Sequence, residues 1–199
     1  MATIHILRHG QALHNVDKPY PHRDPPLTKV GTKQAEKVLL PAKPDLIIVS
    51  PMTRTIQTTL IAFRQLLGES STQAKTEVQI WPELREAHDA ICNKGVSRAE
   101  IAAAFPQFDF SSCPEEWDYP PHSVDGATLR AETVRRRLLN LSASYRNIFL
   151  VTHRGLIAFL VEGPRFASAD EVENQRYGTH QDTGDKQDFG PSLLVPLSS

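Results

Sequence analysis

Arg8, His9 and Gly10 stand directly after a short apolar run, Thr3 to Leu7, and the trio suits phosphoryl chemistry. An imidazole at a strand end can attack phosphorus through one ring nitrogen. The neighbouring guanidinium can hold phosphate oxygens bidentately, and Gly10 lets the backbone approach closely. Asn15 adds a neutral donor for the same oxygens. On its own the tripeptide more often marks a structural histidine.

Further segments point to the same chemistry. Ser50-Pro51-Met52-Thr53-Arg54-Thr55-Ile56-Gln57-Thr58 leads from a strand end into a helix with Arg54 in its first turn, where unpaired amides and the helix dipole favour anions. Thr152-His153-Arg154-Gly155 repeats the histidine and small-turn design after another apolar run. A protonated His153 would supply positive charge to oxygens that gain charge in the transition state. In Leu84-Arg85-Glu86 the carboxyl of Glu86 can serve as general acid for a leaving oxygen.

These residues need elements to position them. Thr3 to Leu7, Leu46 to Val49 and Ile148 to Val151 read as buried strands. Ile56, Leu60, Phe63 and Leu67, and likewise Val134, Leu138, Leu141 and Tyr145, recur at helical spacing and give each helix one core-facing stripe. Alternating strands and helices imply an α/β fold with a largely parallel sheet covered on both faces and functional loops beyond the strands' carboxyl ends. Thr28 and Thr53 are expected to cap the following helices, and Ser97 with Glu100 forms a capping box before Ile101 to Ala104. The span from Glu86 to Ala127 breaks the alternation and is expected to be a small cap insertion in a single domain covering 1–199. A polar excursion from Arg165 to Gly190 and a last strand near Leu193 to Val195 are expected to follow.

Composition narrows the function classes. With 22 basic against 23 acidic residues the net charge is -1, so no global field recruits nucleic acid or an anionic membrane. No run approaches the roughly 18 apolar residues of a membrane span, and the N-terminus lacks the apolar stretch of a signal peptide. Cys92 and Cys113 are the only cysteines, too few for a disulfide framework, though a single bridge between them stays open. The expected location is cytoplasmic, with a nuclear one as the alternative.

Taken in order, Arg8-His9-Gly10 with Asn15, Ser50-Pro51 to Thr58, Leu84-Arg85-Glu86 and Thr152-His153-Arg154-Gly155 resemble the four signature blocks of the histidine phosphatase superfamily, branch 1, also called the phosphoglycerate mutase-like family. The resemblance spans roughly residues 3 to 160. It implies a three-layer α/β/α fold with a mostly parallel central sheet and an antiparallel edge strand. It also implies His9 as nucleophile, Arg8, Arg54 and His153 as the rest of a phosphate pocket, Asn15 as an accessory contact, Glu86 as proton donor, and no metal or other cofactor. Gly10 and Gly155 are expected to border the substrate. Mutases of the family carry Glu after Arg-His-Gly and a Glu-Arg-His-Tyr-Gly string at the acid, whereas this chain has Gln11 and Glu86-Ala87-His88-Asp89. Gln11-Ala12-Leu13-His14-Asn15 instead resembles fungal phosphatase-like members. The expected activity is therefore hydrolysis of a small-molecule phosphomonoester. Mutase-type transfer, for which Arg98 is the one candidate second anion holder in the cap, and a catalytically silent binding module are the alternatives.

Other polar residues allow two readings each. His14 and His22 either touch substrate or are solvated loop histidines, and Asp89, beside His88, is a fallback proton donor. Trp117 and Tyr119 either line an organic pocket or pack the cap. Arg135-Arg136-Arg137 reads as a solvated helix face rather than a nucleic-acid patch, and the eight histidines show no metal-ligand spacing.

Overall fold

The computed structural model describes residues 2–68, 76–117 and 122–161. The three apolar runs are strands: β1 (Thr3–Arg8) opens the chain, β2 (Leu46–Val49) is buried throughout, and a later one spans Asn147–Thr152. Between β1 and β2 lie α1 (Leu13–Val16) and α2 (Lys29–Glu36). After β2 come α3 (Thr53–Ala62), α4 (Arg64–Leu67) and a fourth strand that the continuous-run reading passed over, β3 (Glu77–Ile80). Its apolar residues, Val78 and Ile80, merely alternate with Glu77 and Gln79, the pattern of an edge strand with one wet face. Then follow α5 (Arg98–Ala104), α6 (Val124–Leu141), β4 (Asn147–Thr152) and α7 (Arg154–Leu160).

The strands form one sheet in the order β1-β4-β2-β3, every pairing parallel. Register decides where the chemistry goes. Arg8 pairs with Thr152, and Val49 with both Val151 and Ile80, so the strands end level and the turns after β1, β2 and β4 emerge side by side. His9 N–H still donates to Thr152 O at 3.1 Å, and Ser50 N–H to Val151 O at 3.0 Å, one residue past the strands. Among the described strands no antiparallel edge strand is present; the expected strand near Leu193 to Val195 and the 165–190 segment lie outside the described residues.

Period-two alternation splits the buried strand residues between two faces. Ile6, Leu46, Ile48, Ile148 and Leu150 pack against Ala131, Val134 and Leu138 of α6 and Leu156, Ile157 and Leu160 of α7. Leu7, Ile47, Val49, Phe149 and Val151 pack against Met52, Ile56 and Phe63 on the other side. Ile101, Phe110, Cys113 and Trp117, from the stretch between Glu86 and Ala127, belong to that second cluster, so the insertion shares the sheet's core. The layers are α/β/α.

Local expectations meet mixed outcomes. Thr28 caps α2, its Oγ1 accepting from Gly31 N at 3.0 Å, and Ser97 with Glu100 closes the capping box of α5. Thr53 does not cap α3. The N-cap is Met52, and the side-chain acceptor comes from Asp24 in the proline-rich loop, whose carboxylate takes Thr53 N–H at 2.9 Å and Thr53 Oγ1–H at 2.7 Å. The helix predicted through Ile56 to Leu67 breaks at Phe63 into α3 and α4. The three arginines are not a purely solvated face. Arg135 donates to the Phe159 carbonyl at the end of α7 at 2.6 Å, and Arg137 lies 3.5 Å from the Trp81 ring centre while pairing with Glu83. Cys92 and Cys113 are free thiols. No described helix is long and apolar enough to cross a membrane.

Candidate active site

Parallel strands that end level bring His9, Ser50 and His153 together. The His9 and His153 ring centres are 5.1 Å apart. Arg54, from the first turn of α3, is fully buried between them and the cap: its Nε–H donates to His9 Nε2 at 3.3 Å, Nη1 to Cys92 O at 3.2 Å and Nη2 to Asn93 Oδ1 at 3.1 Å. Buried hydroxyls brace the helix beneath it. Thr58 Oγ1 donates back to Arg54 O at 2.7 Å and accepts Gly10 N–H at 3.1 Å, so one hydroxyl ties the loop after β1 to α3.

The protonation of His9 follows from its partners. Nδ1 lies 2.7 Å from the carbonyl oxygen of Gly10. A carbonyl only accepts, so Nδ1 carries the hydrogen and Nε2 keeps its lone pair. The Arg54 Nε–H aimed at Nε2 requires the same tautomer. Burial first, then the cationic Arg54 and Arg8, holds His9 well below the usual 6.5. The ring is thus held with its Nε2 lone pair turned toward the Arg54 guanidinium.

His153 is fully buried, with Nε2 2.9 Å from Ser50 Oγ. Burial, then Arg54 and His9, holds it well below 6.5 as well. These causes oppose the positive charge that the sequence assigns to this ring.

Glu86 is buried, its side chain against the first turn of α7. Its Oε1 accepts from Ala87 N at 2.6 Å and Leu156 N at 3.1 Å, and Oε2 from Gly155 N at 3.3 Å. Gly155 gives its N–H to Glu86, and a Cβ there would overlap the carboxylate. Gly10 gives its N–H to Thr58, and a Cβ on it would crowd the Gly31 carbonyl at the start of α2. Both glycines thus act by letting neighbours approach. Asn15 turns its Oδ1 to Ala12 N at 2.9 Å and its Nδ2 to His14 Nε2 at 3.2 Å.

Other sequence candidates are spread more widely. His22 is exposed and packs edge-on against Tyr20, and Asp89 is exposed, whereas the His88 ring borders Gly155 as the Glu86 carboxylate does, with its carbonyl accepting from Asn93 Nδ2 at 3.0 Å. Gln11, in the place of the mutases' Glu, accepts from Thr28 Oγ1 at 2.7 Å. Arg98 is taken by Cys113 O at 3.1 Å and Glu115 at 2.8 Å. Trp117 is buried in the core cluster on the sheet, its ring filling the space over Gly95, whereas Tyr119 lies outside the described residues.

Sequence reasoning missed Asn93, Asp24 and Arg130. Arg130 on α6 donates through Nη1 to Glu83 O at 2.9 Å and Arg85 O at 2.6 Å, and through Nη2 to Glu86 O at 3.2 Å. It had a signal: an arginine four residues before Val134 continues the apolar stripe. Asn93 and Asp24 had none, since their partners are distant in sequence. Among the described residues no group of His, Cys, Asp and Glu is arranged to hold a metal ion.

Known proteins resemble the chain along most of its length. The family model described as the histidine phosphatase superfamily (branch 1) matches residues 4–177. A probable phosphatase of Schizosaccharomyces pombe is 34% identical over 147 residues, 69% of this chain and 65% of that protein. A phosphoglycerate mutase-like protein of Arabidopsis thaliana is 29% identical over 147 residues, 55% of this chain and 54% of that one. The chain thus spans less than two thirds of these two relatives. Among solved structures, the Bombix mori ecdysone phosphate phosphatase, in complex with tungstate, superposes with a TM-score of 0.60 at 18% identity, covering 96% of this chain and 87% of that one. A mycobacterial glucosyl-3-phosphoglycerate phosphatase superposes with a TM-score of 0.51 at 26% identity, covering 80% and 79%.

Proposed function

Because the chain belongs to the histidine phosphatase superfamily (branch 1), we propose that it is a phosphatase that hydrolyses a small phosphomonoester through a phosphohistidine on His9. The observation that carries this reading is the His9 ring itself. Its Nδ1–H is fixed on Gly10 O at 2.7 Å and its Nε2 lone pair faces Arg54, so the nucleophile needs no separate base to activate it.

In the first step Nε2 bonds to phosphorus as the bond to the alcohol oxygen breaks, and Glu86 passes its proton to that oxygen. In the second, Glu86 takes a proton from water as the water oxygen bonds to phosphorus, and the bond to Nε2 breaks to release phosphate. Arg8, Arg54 and His153 hold the equatorial oxygens, where charge accumulates. No step calls for a metal ion.

Hydrolysis is preferred to mutase-type return of the phosphoryl group because a mutase must hold a second anionic group of its substrate. Arg98, the cap's candidate for that task, is already engaged by Glu115. Two free thiols support a reducing, cytoplasmic setting. The names of the relatives support the phosphatase class and leave the alcohol open.

The test is hydrolysis of p-nitrophenyl phosphate with chelator present, together with alkaline trapping of the phosphoenzyme, since phosphohistidine survives base. Turnover and label should both vanish in His9→Ala. Full turnover in that variant, or dependence on an added metal, would overturn the mechanism.

A further inference from the structure

The proposed steps use two of the pocket's imidazoles, and a third is beside them. The His14 ring centre is 5.9 Å from that of His9. Its tautomer is set by a relay starting at the main chain. Ala12 N–H can only donate, so the Asn15 atom 2.9 Å away is Oδ1. That leaves the Asn15 Nδ2, a donor, facing His14 Nε2 at 3.2 Å. Nε2 must accept, and the hydrogen of the neutral ring sits on Nδ1.

That Nδ1–H is buried and has no hydrogen-bond partner, although native proteins rarely leave a buried donor unpaired. Of the polar groups around the ring, Asn15 Oδ1 is taken by Ala12 N–H and His9 Nε2 by Arg54 Nε–H, and neither bonds Nδ1; the charged groups acting on the ring, Arg54, Arg8 and Lys18, are donors only. The acceptor must arrive from outside, at a place where two guanidinium groups already favour an anion.

Resting on the reading of His9 as nucleophile, we infer that His14 is an additional phosphate ligand, donating its Nδ1–H to a non-bridging oxygen of the phosphoryl group at His9. Burial, then Arg54, Arg8 and Lys18, lowers the ring's pKa to about 3, so it offers one N–H and no added charge. Asn15, expected from the sequence to touch phosphate, acts here by setting the tautomer of its neighbour.

Orthovanadate, a phosphate mimic without an alcohol, is the probe. Its binding is measured by titration calorimetry on the full chain, beside p-nitrophenyl phosphate kinetics and thermal unfolding. His14→Phe, which keeps the ring and removes the donor, should weaken vanadate binding and lower kcat/KM by about tenfold. His14→Asn, whose amide can place an N–H where Nδ1 stands, should stay within about threefold of wild type. Should His14→Phe unfold early, His14→Leu replaces it. Equal weakening in the donor and donor-free variants would overturn the contact, as would unchanged vanadate binding with only the ester's KM raised. A wild-type chain that hydrolyses nothing would defeat the phosphatase reading, while the vanadate titrations would still decide the fate of His14.

Discussion

Arg130 holds the main chain of Glu86: its Nη2 donates to the Glu86 carbonyl at 3.2 Å, while Nη1 bridges the carbonyls of Glu83 and Arg85. A buried guanidinium spent on main-chain oxygens fixes a loop rather than a substrate. With the Glu86 side chain held by α7 amides, the proposed proton donor is positioned from both ends.

Arg130→Met should therefore lower kcat by about ten- to a hundredfold, because small misplacement of a reacting group is costly, while KM moves little. Losing these charged hydrogen bonds should also cost about 2–3 kcal/mol of stability by urea denaturation. Wild-type kcat in the variant would show that the loop holds its place without the clamp.

Gly155→Ala gives a more local test. The added methyl meets the Glu86 carboxylate and the edge of the His88 ring, so the carboxylate must move, while the proposed phosphate ligands His9, Arg8 and Arg54 should keep their places. Steady-state kinetics should show kcat reduced at least about tenfold with vanadate inhibition retained. A parallel loss of vanadate affinity would instead place Glu86 among the phosphate ligands.

Asp24 closes the N-terminus of α3 by holding Thr53, the residue before Arg54, from a backbone with φ of 44°. Asp24→Ala removes the cap and puts Ala in the left-handed region. A loss of about 1–2 kcal/mol is expected, together with a raised KM as the first turn frays. Asp24→Asn tolerates that backbone and keeps an acceptor for Thr53, so it should lose less. Equal losses in chemical denaturation would rule out the cap as the cause.

The pocket histidines also set how stability varies with pH. His9, His14 and His153 are all held below 6.5, chiefly by burial. An unfolded chain protonates these rings near 6.5, whereas the folded chain takes up the same protons only at lower pH, near 3 for His14. The unfolded state binds more protons in that window, so the stability present above 6.5 is lost as pH falls through it, by about 1.4 kcal/mol per pH unit for each proton. Thermal midpoints should fall from pH 7.5 to pH 5, and less steeply in His14→Asn. Identical slopes would mean that His14 takes up its proton at the same pH folded as unfolded.

The sequence by itself determined the three apolar strands, the amphipathic helices, the α/β class and the residue types gathered after the strands. Those signals are local: alternation, helical spacing and short motifs are written in consecutive residues. Family membership was legible for the same reason, since four short blocks in order carry it. The edge strand at Glu77–Ile80 escaped because its apolar content is half that of a buried strand. Which group answers which was decided by tertiary structure alone. Asp24 rather than Thr53 caps α3, Asn93 seats Arg54, Arg130 clamps Glu86, and Gly155 makes way for a carboxylate 69 residues away in the chain. Each pairing joins residues far apart in sequence, and a buried polar group takes the partner that packing places within reach. The register of β1, β4 and β2 sets that geometry, and with it the neutral state of the pocket histidines, since charge follows from burial and neighbours rather than from residue type.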